Sequence, residues 1–193
     1  MSPQSQAGPE VRTCAGGPTP AQEPLAAALV EIEHYVGASG WDQPARLFAL
    51  APTAQLLEAG PALADRLAVT GPGQLSPIEQ DDFHPGQDVL SGLAAIAWPS
   101  TVAGCAVCTE RSFLPAGVEA DIPGDPAGAA DYVAAHPARE DIRVVMGALR
   151  DGTTYGVARL ASHPGELLAG DELVPALSGA LVRTFEWEEP DQA

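Results

Sequence analysis

Leu25, Leu29, Ile32 and Val36 recur at the spacing of one helical face, and they predict a first helix from Pro24 to about Val36. Proline is tolerated in that opening turn, Gly37 and Gly40 end it, and His34 falls on the opposite, water-facing side. The pattern then changes. Ala45 to Ala51 is a short apolar run with strand character, and Pro52 and Thr53 open a short helix through Glu58. Pro61 to Leu67 predicts a further helical turn, and Gly71, Pro72 and Gly73 mark a loop. Val89, Leu93 and Ile96 share one face of a helix predicted over 86–97. Thr101 to Leu114, rich in small and β-branched residues, predicts a long strand. A short helix over 125–135 follows, closed by His136 and Pro137, and a last helix is predicted over 173–185.

The sharpest local signal is a β-hairpin. Two strand-like runs, 141–150 and 153–161, flank Asp151-Gly152, a dipeptide suited to a two-residue turn. In that register Arg150 pairs with Thr153, Gly147 opposes Gly156, Val145 opposes Ala158 and Arg159 opposes Val144. The opposed glycines would leave a shallow floor for the last helix, which carries Gly179 and Ala180. Strands interleaved irregularly with helices predict an α+β fold: a mainly antiparallel sheet that includes this hairpin, with helices packed on it.

Residues 1–23 carry Pro3, Pro9, Pro18 and Pro20 among Ser, Gln, Gly and Ala, too little apolar surface to offset ordering entropy. The expected organisation is a disordered N-terminal tail over 1–23, one α+β domain over 24–187 and a short C-terminal tail over 188–193.

Charge narrows the function classes. Asp and Glu number 26 against 9 basic residues, a net charge of -17, which disfavours nucleic acid and anionic membranes as partners. Every basic residue is Arg. Without lysine the chain offers no Schiff base, no pyridoxal-phosphate site and no Walker-type phosphate loop. No apolar run reaches the ~18 residues of a membrane span, and no secretory signal pattern opens the chain, so the cytoplasm is the expected compartment.

Candidate chemistry is sparse. Cys105 and Cys108 form a C-x-x-C pattern, but in a strand residues three apart face opposite sides, so they are expected to be separate buried thiols. Asp81, Asp82, His84 and Asp88 gather oxygen and imidazole ligands that suit a divalent cation, although acidic residues just before a helix also serve as caps. His84, His136 and His163 each precede proline and are expected in turns; only His136, near Glu140 and Asp141, has a partner carboxylate at hand for general-base work. Trp41, Asp42 and Arg46 form a dense local motif fit for a recognition patch, with core packing of Trp41 as the plainer reading.

Gly40-Trp41-Asp42-Gln43-Pro44 through Leu57, Leu75 to Gln80, His84 to Asp88, Ala97-Trp98-Pro99, His136 through Gly152, and Leu173 to Glu186 together resemble an uncharacterised actinobacterial protein family of unknown function. The resemblance implies a cytosolic, actinobacterial setting and carries no activity, cofactor or catalytic residue with it. The expected function is that of a non-enzymatic acidic protein-interaction module, with a protein partner or a homodimer and no cofactor. The alternative is a small-molecule or metal-binding sensor or enzyme using the acidic cluster at 79–88.

Overall fold

The strands are β1 (Glu10–Thr13), β2 (Arg46–Pro52), β3 (Leu75–Glu79), β4 (Gly104–Phe113), β5 (Glu140–Leu149), β6 (Thr154–Leu160) and β7 (Glu166–Gly170). The helices are α1 (Glu23–Gly37), α2 (Thr53–Ala59), α3 (Val89–Ala94), α4 (Pro126–Ala135) and α5 (Pro175–Arg183). The computed structural model describes residues 10–13, 17–60, 71, 73–86, 88–115, 123–171 and 173–186. The helical turn expected near 61–67 and the C-terminal tail at 188–193 lie outside them.

The strands form one sheet in the order β1-β7-β6-β5-β4-β2-β3. Among the described residues every pairing from β7 to β3 is antiparallel, and only β1 runs parallel to its neighbour. The chain is therefore α+β with a mainly antiparallel sheet. Helices cover both faces. On one face α1 sets Leu25, Leu29 and Ile32 against Phe48, Val145 and Val157. On the other, Leu177 and Leu181 of α5 and Leu93 of α3 pack against Val107, Met146 and Ala158. The stripe expected on α1 is the buried one, and His34 is exposed.

Several boundaries and elements differ from expectation. Glu10–Thr13, expected within a disordered tail, forms β1 on the β7 edge. Open backbone groups on a sheet edge pair with any extended chain, and no hydrophobic pattern is needed for that. The helix expected over 86–97 shortens to six residues, with Asp88 as its N-cap accepting from the Ser91 N–H at 3.0 Å. Strands β3 and β7 were not foreseen. Pro77 interrupts β3, yet the flanking bonds Gln80 N–H to Leu47 O and Thr53 N–H to Gln74 O set an alternation that turns position 77 away from β2. A proline there costs no ladder bond and blunts the outer edge.

The hairpin exists, but its register is shifted by one residue. Leu149 accepts from the Gly152 N–H at 3.0 Å and donates its own N–H to Thr153 O at 2.8 Å, and Gly152 has φ +89°. This is a type I turn followed by a left-handed glycine, a three-residue loop in place of the expected two. A one-residue slip changes every partner. Gly147 faces Tyr155, Gly156 faces Met146, Val145 faces Val157, and Arg159 stands opposite Arg143. The glycines lie on different faces. A Cβ at Gly147 would come within 2.8 Å of Leu25 and Leu29 on α1, whereas one at Gly156 would run into Met146 under α5.

Candidate functional site

The slipped register assembles charge inside the fold. Glu110, Arg143 and Arg159 occupy one lateral row across β4, β5 and β6. Glu33, on the buried side of α1, comes down onto that row. Its two carboxylate oxygens accept from Nε and Nη2 of Arg159 at 2.7 Å each, and Oε1 lies 3.5 Å from Nη1 of Arg143. Arg143 donates from Nε and Nη2 to Glu110 Oε1 at 2.9 and 2.7 Å. The side chains of Glu33 and Arg143 are only 1% and 2% exposed. An arginine buried as deeply as Arg143 requires full pairing and has it, and Arg159, 11% exposed, is paired as well. Gly37 makes the approach possible: a Cβ there would sit 3.0 Å from Nη1 of Arg143.

The same cluster shapes the loop between α1 and β2. Arg143 donates to the Gly40 carbonyl and stacks under the Trp41 ring, 4.5 Å from its centroid. Glu110 uses its second oxygen to accept the Gln43 N–H at 3.0 Å. Gln43 in turn accepts from Arg46 Nη2 at 2.8 Å. Asp42 adopts φ +62°, a left-handed backbone that Asp tolerates better than most residues. The loop Gly40–Gln43 is thus pinned at three points to β4 and β5.

Beyond this loop opens a groove of about 870 Å³. Trp41, Pro44 and Ala45 form one wall, and Ala129, Ala130 and Val133 of α4 form the other. The exposed end of β4, at Arg111 and Ser112, also borders it. Acidic groups at Asp42, Glu110 and Asp141 line the groove. Asp141 receives Nε and Nη2 of Arg139 at 2.9 and 2.7 Å and the Ser112 hydroxyl at 2.6 Å, and the Arg139 bonds hold its carboxyl below the usual range. It therefore does not serve His136, whose Nδ1 accepts the Ala138 N–H at 3.1 Å.

The structure divides the residues singled out from the sequence. Trp41 and Asp42 line the groove together. Arg46 lines a neighbouring one of about 630 Å³ with Glu79, Asp81 and His84, and lies 3.4 Å from Glu79. Asp82 borders a third, smaller cavity below Trp98, with His84 reaching both. Asp81, Asp82, His84 and Asp88 are all exposed, and Asp88 is occupied in capping α3. Among the described residues no three His, Cys, Asp or Glu side chains converge in a metal-binding set. Cys105 and Cys108 point into opposite cores, and burial pushes both thiols up to about 12. No helix among the described residues is long and apolar enough to cross a membrane.

The quartet Glu33, Glu110, Arg143 and Arg159 and the α4 wall were not found from sequence. The available signal was a charge inside otherwise apolar runs, as with Arg143 in Ile142-Arg143-Val144-Val145 and Glu33 next to Ile32 on the α1 stripe. No curated protein and no solved structure matches the chain. Residues 25–186, which span α1 to α5 and every strand except β1, match the PPA1309-like protein family, and the chain belongs to that uncharacterised family.

Proposed function

We propose that this chain is a non-enzymatic, acidic protein-interaction module of the cytoplasm, and that it docks a partner segment in the groove between Trp41 and α4. The carrying observation is the pinned loop: Arg143 and Glu110 hold Trp41 and Gln43 in place, so one wall of the groove is set before any partner arrives. A preorganised wall lowers the ordering cost of binding. Trp is favoured at interface hot spots, and the facing alanines and Val133 leave room for an incoming apolar side chain.

Charge selects the partner. With a net charge of -17 and Asp42 at the rim, the surface favours a segment carrying Arg or Lys beside apolar residues. Two copies of so acidic a chain repel one another, which disfavours a homodimer relative to a basic partner. A peptide library displayed on phage and selected against the protein tests this directly. Enriched peptides are expected to combine Arg or Lys with an aliphatic residue, and to lose binding to an Ala130→Arg variant. Absence of enrichment, or equal binding to Ala130→Arg, contradicts the reading.

A further inference from the structure

The two edges of the sheet are treated differently. The β3 edge is blunted by Pro77, whose position faces outward. The β7 edge has no such guard: Leu167, Leu168 and Ala169 lie between Glu166 and Gly170, with no proline and no charge, and Leu167 and Ala169 are fully buried. An edge of that kind is a template for another strand. Its present cover is β1, in the register Glu10 to Glu166 through Thr13 to Ala169. Two features mark β1 as an addition to the domain. Among the described residues it is the single parallel strand of the sheet, and it lies outside the stretch matched by the family, which includes β2 to β7. It is also only four residues long and is joined to α1 through residues 14–22, which include Gly16, Gly17, Pro18 and Pro20. A strand this short is held largely by the effective concentration of its tether.

We propose that the outer edge of β7 is a strand-acceptor site for an extended, proline-free partner segment running parallel to it, and that Glu10–Thr13 is the occupant in cis that such a segment displaces. Main-chain hydrogen bonds supply the affinity, as in other strand additions. The tethered strand lowers the apparent affinity by the fraction of molecules in which the edge is closed. This site is independent of the Trp41 groove, and neither proposal requires the other.

The test uses the full chain. Alternate amides of a strand point to opposite sides, so one of Val11 and Arg12 directs its N–H at β7, and a Val11→Pro/Arg12→Pro double variant removes it either way. A fluorescent peptide of residues 10–16, a proline-free stretch that includes β1, serves as the probe, read by anisotropy. It is expected to bind the double variant about tenfold or more tightly than the wild type, while a peptide carrying the same two prolines binds neither. Hydrogen exchange on the unaltered protein is the second readout: the β1 amides are expected to exchange at least about 100-fold faster than those of β5. Equal or absent peptide binding to a folded variant overturns the proposal, as does a variant that dimerises in place of binding peptide. So does loss of folding on unseating β1, or protection of β1 equal to that of β5.

Discussion

Arg143 stands directly opposite Arg159 across the β5–β6 ladder, and the single buried carboxylate of Glu33 on α1 engages both guanidinium groups. Like charges at opposed positions destabilise a sheet. Glu33 and Glu110 turn that liability into a neutral, fully bonded quartet. A buried quartet contributes little net stability relative to an apolar core, but breaking it is expensive. Its structural consequence is positional: it locks the end of α1 over the sheet and pins the loop that carries Trp41.

Glu33→Gln removes one charge while keeping the shape, leaving two opposed arginines with Glu110 paired to Arg143 alone and no carboxylate on Arg159. Urea denaturation is expected to show a loss of about 3–5 kcal/mol. Adding Arg159→Met restores charge balance and should recover more than half of that loss. A single-variant loss below about 1 kcal/mol, the range of an exposed ion pair, contradicts the assignment.

The left-handed glycine that shifts the hairpin is open to a comparable test. Gly152 has φ +89°, and a Cβ there meets no atom within 4 Å, so any cost of substitution is conformational. Gly152→Ala is expected to cost about 1 kcal/mol, and Gly152→Asn less, because Asn tolerates this region. Equal costs in chemical denaturation would speak against the left-handed conformation at Gly152.

What the sequence revealed follows the range of the interactions. The α1 stripe and the opposite facing of Cys105 and Cys108 were legible because periodicity alone decides them. The hairpin was visible but misregistered, since Asp-Gly suits both a two-residue turn and the last two positions of a three-residue loop. That slip hid the meeting of Arg143 and Arg159. Strand β3 was obscured by Pro77, which argues against a strand until its edge position is known. The groove was half legible: Trp41 and Asp42 stood out, but α4, its opposite wall, is brought to them only by the tertiary fold. Arg46, adjacent in sequence, turns to Gln43 and Glu79.

The two core thiols predict an alkaline response. Burial raises both Cys105 and Cys108 from an ordinary value of 9.0 to about 12. The unfolded state therefore releases protons first as pH rises, so the thiol contribution to stability is fully present below pH 9 and is lost between pH 9 and about 12. In a Cys14→Ser background, a disulfide reagent at pH 8 should label the native protein at least about 100-fold more slowly than the urea-unfolded chain. Rapid labelling of two thiols in the native state would contradict their burial.

The most direct test of the interaction module is site-specific photo-crosslinking in the native host. A benzophenone amino acid replaces Val133, on the α4 wall of the groove, or Asp151, exposed at the hairpin tip. A discrete adduct to one basic protein is expected from position 133, lost when Ala130→Arg is added, and none from position 151. No adduct from the groove, or the same adducts from both positions, would contradict it.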